Sequence, residues 1–252
     1  MSTINFIEKE QIGILSLNRP EKRNALNPEL VNEFKIKLKG IRNNEKVKVL
    51  IITGEGSSFC AGADLEYLNK IKNFSLADNE KDSRDLAELF LMIYHFQKPT
   101  IAAVNGPAIA GGCGLASVCD FLVADEQNSK FGYTEVKIGF LASIVSIFLI
   151  KRVGYHKAKQ LLISGLIIKP EEAMRIGLVD YLSNNVMEDS ISLGEKIKTN
   201  SALSMSTTKK MISDISNMDV DEAVEYCINL NALSRSTADF AEGLNNFLSK
   251  KK

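Results

Sequence analysis

The chain has 252 residues, with 31 Lys and Arg balanced by 31 Asp and Glu, two His, four Cys, five Pro and no Trp. That length allows one large domain or two small ones with a substantial core, and 45% hydrophobic with 25% charged residues is the make-up of an ordinary soluble globular protein. A formal net charge of zero removes the surplus of Lys and Arg that an extended nucleic-acid footprint or a basic membrane-binding face requires, so an anionic ligand has to be met by local groups.

Taken in chain order, 4–8 and 12–17 read as two antiparallel strands around the polar break Lys9-Glu10-Gln11. Arg19-Pro20 stops the second strand. Asn27-Pro28-Glu29 then supplies an N-cap, a Pro at the first helical position and an early acid, which predicts a helix over 28–41. The β-branched run 47–53, closed by Gly54-Glu55-Gly56, predicts a buried strand ending in a loop; 100–104, closed by Asn105-Gly106-Pro107, and 121–124 repeat the pattern. The longest apolar run, 138–150, is too short to span a bilayer and reads as a buried helix. Beyond it strand signals thin to one candidate at 178–182. Helices are expected at 142–152, 155–163, 170–176, 187–199, 203–216 and 219–249. The alternation predicts an α/β core over 1–195 and an all-helical region over 196–252 that packs against a neighbouring subunit.

Cys113 and Cys119 sit in an apolar, glycine-rich stretch, and four cysteines are too few for a disulfide scaffold, so reduced core thiols of a cytoplasmic protein are expected. No CxxC or HExxH-like spacing is present, and His95 and His156 are far apart, so no bound metal is expected. The N-terminal residues lack a basic region followed by an apolar one, and neither a signal nor a transit peptide is readable.

Glycine positions locate the chemistry. Nine of the sixteen glycines fall between 54 and 139, and two clusters, Cys60-Ala61-Gly62-Ala63-Asp64 and Ala110-Gly111-Gly112-Cys113-Gly114, each lie between a predicted strand and a predicted helix. Helix N-termini carry unpaired N–H groups and partial positive charge, and two of them converging on one carbonyl oxygen would form an oxyanion hole. An isolated cluster of this kind equally serves close helix–strand packing; it is the matched pair that points to function. Gly112-Cys113-Gly114-Leu115-Ala116-Ser117 nearly fits the dinucleotide fingerprint GxGxxG, but Ser117 replaces its third glycine and the approach from Asn105 is too long for the tight turn.

Five words occur in order: 19–27 (RPEKRNALN), 59–65 (FCAGADL), 98–106 (KPTIAAVNG), 111–116 (GGCGLA) through Cys119-Asp120, and 131–135 (FGYTE). With Glu242-Gly243-Leu244 through Phe247 near the end, they resemble the enoyl-CoA hydratase/isomerase (crotonase) superfamily. The resemblance implies a crotonase-like spiral of ββα turns with C-terminal helices that assemble a homotrimer or a dimer of trimers. It also implies an acyl-CoA thioester as substrate, with no cofactor beyond its CoA moiety. Position by position, it places the oxyanion hole at the backbone N–H groups of Ala63 and Gly111 and the acid/base role at Glu135. It places CoA contacts at Lys22, Arg23, Ala25, Ala61, Ala63, Asp64 and Leu65, with Phe247 and Lys250 reaching an adjacent subunit. Lys250 also fits a solvated chain end, in the run Lys250-Lys251-Lys252. Read without the resemblance, Glu135 would be a helix-capping or surface acid; with it, the carboxylate removes or returns a proton beside an enolate that the two donors stabilise.

The departure is Gly114, where hydratases of the superfamily carry a second glutamate. Asp120 lies six residues further on and is expected to anchor the following strand. The reading is therefore an enoyl-CoA hydratase working through a thioester enolate. Enoyl-CoA isomerisation or decarboxylation by Glu135 alone is the alternative within the class, and a non-catalytic CoA- or RNA-binding member the alternative outside it.

Overall fold

The computed structural model describes residues 2–249. Strands β1 (Ile4–Lys9) and β2 (Ile12–Leu17) form an antiparallel hairpin with Lys9 opposite Ile12. The turn residues Glu10 and Gln11 both have positive φ, 49° and 70°, the conformation that matches a two-residue turn to the twist of its strands. β3 (Val49–Gly54), β4 (Thr100–Val104), β6 (Phe121–Asp125) and β9 (Tyr181–Ser183) extend this hairpin in parallel, giving the order β1-β2-β3-β4-β6-β9. A second sheet holds β5 (Pro107–Ile109), β7 (Lys130–Gly132) and β8 (Ile167–Ile168).

β3 and β4 are buried along their whole length because helices cover both faces, which is why their sequences are continuous apolar runs instead of alternating ones. Leu50, Ile52 and Ala102 face α1 (Pro28–Arg42) and α3 (Leu76–Tyr94), while Val49, Ile51 and Ile101 face α7 (Val186–Ile197). α1 starts as its sequence predicts, with Asn27 Oδ1 accepting from the Leu30 N–H at 2.9 Å and Pro28 behind it. The remaining helices are α2 (Leu65–Ile71), α4 (Gly111–Ser117), α5 (Ser143–Ser164), α6 (Pro170–Arg175), α8 (Ala202–Ile215), α9 (Val220–Arg235) and α10 (Ala238–Ser249).

Two isolated parallel bridges, Leu26 with Ala63 and Cys60 with Ala108, carry the second sheet back through the first turns. Each turn therefore places a strand in the large sheet, a short segment in the small one, and a helix. This is the expected spiral of ββα turns.

Several expectations are corrected. The run 138–150 is not a buried helix: Gly139 is left-handed at φ 72°, α5 begins only at Ser143, and Ile138 and Leu141 are 67% and 75% exposed. The two helices expected at 142–152 and 155–163 are, by contrast, both present within α5, which breaks between them at Gly154, where φ is 77°. The helix expected over 219–249 ends at Arg235 and restarts at Ala238, with Thr237 Oγ1 accepting from the Phe240 N–H at 3.2 Å. Leu178 and Val179 are outside the strand expected there because both their N–H groups bond the Ala173 carbonyl, closing the turn after α6. β5, β7 and β8 have two or three residues each and left no pattern in the sequence long enough to read. Among the described residues no helix is long and apolar enough to cross a membrane.

Candidate active site

The spiral places three predicted residues at corresponding points of successive turns. Ala63 follows the small-sheet segment of one turn and stands just before α2, Gly111 follows β5 in the next and opens α4, and Glu135 follows β7 in the one after. Backbone bonds stitch these turns at the same level. The Leu26 N–H donates to the Gly62 carbonyl at 2.7 Å, the Ile109 N–H to the Cys60 carbonyl at 3.0 Å, and the Ala110 N–H to the Gly132 carbonyl at 2.7 Å.

Packing between the first two turns is tight. A Cβ on Gly62, which has φ 87°, would lie 2.8 Å from Ala110 Cβ and 3.4 Å from the Gly111 nitrogen. A Cβ on Gly112 would lie 2.1 Å from the Cys60 carbonyl oxygen, so the second glycine of that cluster serves close approach. A Cβ on Gly111 would meet only Leu26 Cδ1 at 3.2 Å and Gly62 Cα at 3.9 Å, which leaves its outer side open. Just before it, Ala110 adopts φ 52°, ψ −124°, a region that costs a non-glycine residue about 1–3 kcal/mol. This strained residue, which the sequence did not reveal, turns the chain from β5 into α4. The dinucleotide reading fails here, because Gly112 and Gly114 lie inside α4 and not in a strand-to-helix turn.

Ala63 and Gly111 are half-buried, and their N–H groups have no backbone acceptor among the described residues. Gly111 is the first residue of α4, where an unpaired N–H is inherent to a helix start.

Glu135 opens a 3-10 turn, Glu135–Ile138, and is only 8% exposed. Its Oε2 is buried with no hydrogen-bond partner among the described residues. Burial pushes the carboxyl above its ordinary value of 4.5, partly offset by its own backbone N–H. A buried carboxyl with an oxygen left open and a raised pKa is suited to acid/base work.

Gly114 lies on the buried side of α4. A Cβ there would stand 2.2 Å from Val145 Cγ1, 2.7 Å from Val145 Cβ and 3.3 Å from Phe90 Cε1. The space for any side chain at 114 is filled by α5 and α3, so a carboxylate there would need more than a one-residue change. Asp120 does not replace it: Asp120 Oδ2 accepts from the Thr100 N–H at 2.7 Å and from Lys209 Nζ at 2.6 Å, holding the start of β4 and docking α8.

The residues expected at CoA lie around the first two turns. Asp64 caps α2, accepting from the Glu66 N–H at 2.9 Å, and pairs with Arg19 at 2.9 Å. Burial alone would raise its carboxyl, but the bonds from Arg19, Tyr67 and Glu66 hold it below the ordinary carboxylate range. Its side chain is thus engaged in structure. Arg19, which also donates to the Ala25 carbonyl at 2.6 Å, is a residue the sequence reading did not single out. Ala25 is buried, Arg23 is exposed in a left-handed conformation with φ 51°, and its carbonyl accepts the Ala61 N–H at 3.0 Å. Lys22 pairs with Glu66 at 2.5 Å with its side chain 40% exposed, and Leu65 is exposed. Phe247 lies on α10 and is exposed, remote in sequence from these turns; Lys250 is outside the described residues.

Cys60, Cys113 and Cys119 are free and buried, each thiol pushed up to about 12 by desolvation, so none is a nucleophile at neutral pH. Among the described residues no group of three or more His, Cys, Asp and Glu could hold a metal ion.

The chain folds as a spiral of ββα turns, with Ala63, Gly111 and Glu135 at the ends of small-sheet segments on successive turns. The sequence profile of the enoyl-CoA hydratase/isomerase family matches residues 8–252, and the chain belongs to that family. A relative from Thermus thermophilus is 37% identical over 247 residues, covering 97% of each chain. The crotonyl-CoA hydratase of Syntrophomonas wolfei is 34% identical over 252 residues, 98% of this chain and 95% of that one. The crystal structure of an enoyl-CoA hydratase from Bacillus anthracis superposes with a TM-score of 0.91 at 28% identity, covering 98% of this chain and 96% of that one.

Proposed function

We propose that this protein is an enoyl-CoA hydratase acting on 2-enoyl-CoA thioesters. The observation that carries the reading is the buried, unpartnered Glu135 Oε2 one spiral turn from the open N–H of Gly111 and two from that of Ala63. The thioester oxygen accepts from both N–H groups, which polarises the conjugated double bond. Glu135 takes a proton from water, the hydroxyl bonds to Cβ, the electron pair moves to the oxyanion as an enolate, and the protonated Glu135 returns the proton to Cα. The carboxylate is regenerated and one water is consumed.

A panel of 2-enoyl-CoAs of different chain length tests this. Conversion to 3-hydroxyacyl-CoA by the wild type is expected, and no conversion of any member would reject it. Val145 and Phe90 packed on Gly114 favour a second reading, double-bond isomerisation, in which Glu135 moves a proton from C2 to C4 of a 3-enoyl-CoA. Product analysis separates the two.

Lys22, Arg23, Ala25, Ala61 and Leu65 are the CoA contacts in this reading, with Ala63 and Gly111 supplying donors. The C-terminal helices serve assembly into a trimer or a dimer of trimers. α8, α9 and α10 contribute no buried side chain, while Val220, Val224, Ile228 and Leu244 are exposed apolar residues on the last two. Such a surface calls for a partner. Light scattering should give three or six times the 27.8 kDa chain mass; a monomer would contradict the assembly. The free buried thiols fit a reducing compartment such as the cytoplasm.

A further inference from the structure

No side chain among the described residues bonds Glu135 Oε2, so the position of the carboxylate is inherited from its backbone. The residues after it give little support, since Val136, Lys137 and Ile138 are all exposed. The anchor therefore lies before it, at Tyr133. Tyr133 is 1% exposed, and its hydroxyl donates to Ser117 Oγ at 3.2 Å. Ser117 Oγ in turn donates to the Gly114 carbonyl at 2.9 Å. Ser117 is the last residue of α4, and Gly111 is the first. The Ala110 N–H bond to Gly132 ties the start of the same helix to the same strand. The segment carrying Glu135 is thus clamped to α4 at both ends of that helix, once through backbone and once through a buried pair of hydroxyls, beside which the Cys113 thiol also lies.

We infer that Tyr133 and Ser117 are positioning residues that fix the separation between the Glu135 carboxylate and the Gly111 N–H by locking the Glu135 segment to α4. The inference rests on the reading of Glu135 as the acid/base group. A displacement of about 1 Å between a reacting group and its substrate can cost on the order of 10²-fold in rate. Binding, made by other segments, is left alone.

Kinetics of Tyr133→Phe, Ser117→Ala and the double variant test this, with Glu135→Gln run in parallel. Tyr133→Phe keeps the ring and loses the clamp; kcat should fall about tenfold or more while KM stays within about twofold. Ser117→Ala takes from the buried Tyr133 hydroxyl its oxygen acceptor, leaving the Cys113 thiol beside it, and should lower Tm, whereas the double variant removes both hydroxyls and should recover most of that Tm. The expected result is that kcat in the double variant stays low although Tm returns. A kcat that returns with Tm, or wild-type kcat in Tyr133→Phe, overturns the inference. If Glu135→Gln is as active as wild type, the reading of the site fails instead, and the inference with it.

Discussion

Glu135→Gln should lower hydration turnover by about 10²–10⁴-fold and, at neutral pH, raise the melting temperature of the same protein. Both effects come from one cause. The carboxyl is buried, its Oε2 has no partner, and desolvation raises its pKa in the folded state. Between the unfolded and the folded pKa the native state binds more protons than the unfolded one, so stability falls as pH rises through that window. At neutral pH, above the unfolded pKa, the shift is a standing cost to the native state. A neutral amide of the same shape removes it, so the stability difference between variant and wild type should widen with rising pH and vanish below the ordinary glutamate pKa. Thermal unfolding over that pH range alongside steady-state kinetics checks both halves. A Gln variant that is inactive and also destabilised at neutral pH would mean that the carboxylate is held by bonds the structure does not contain.

Gly114→Ala is expected to destabilise the fold by about 1–3 kcal/mol through overpacking, and Gly114→Glu by more, because a buried charge is added. The clash is with Val145 Cγ1 and Cβ, atoms of a stiff β-branched residue on α5 that cannot swing aside. Val145→Ala removes Cγ1, the closer of the two atoms, but keeps Cβ, so it should relieve the clash in part, and the Gly114→Ala/Val145→Ala pair should be non-additive by about 0.5–3 kcal/mol. Denaturant unfolding of the two single variants and the double variant measures the coupling. A neutral Gly114→Ala would contradict the packing. The practical consequence is that installing a second carboxylate at 114 requires changing 145 as well.

Much of this was legible before the structure. The parallel strands β3, β4 and β6 announce themselves as apolar runs because helices cover both their faces, and α1 announces itself through Asn27-Pro28. The candidate site residues were legible as words of a family, and the matched glycine clusters gave an independent reason to look there. What escaped was tertiary. Two- and three-residue strands such as β5 and β7 exist only because neighbouring turns pair with them. The run 138–150 misled because apolar character was read as burial, whereas Ile138, Phe140 and Leu141 lie outside the core of the single chain. Gly114 could be noted from sequence, but Val145 as the reason for it could not, since the two meet only when α5 packs on α4. Arg19 and Ala110 were missed for the same reason: the one acts through Asp64, the other through its backbone angles.

The central claim is that Glu135, on the spiral turn after Gly111, is the group that moves the proton. The most direct measurement is the pH dependence of kcat/KM with a short 2-enoyl-CoA, which reports the ionisation of the free enzyme. The other ionisable groups beside it, the Cys113 thiol and the Tyr133 phenol, are both pushed upward by burial and stay protonated through the acid range. The account predicts a rate that rises with pH along a single limb, centred above the ordinary glutamate value of 4.5. A limb at or below that value, or a flat profile through the acid range, would contradict it.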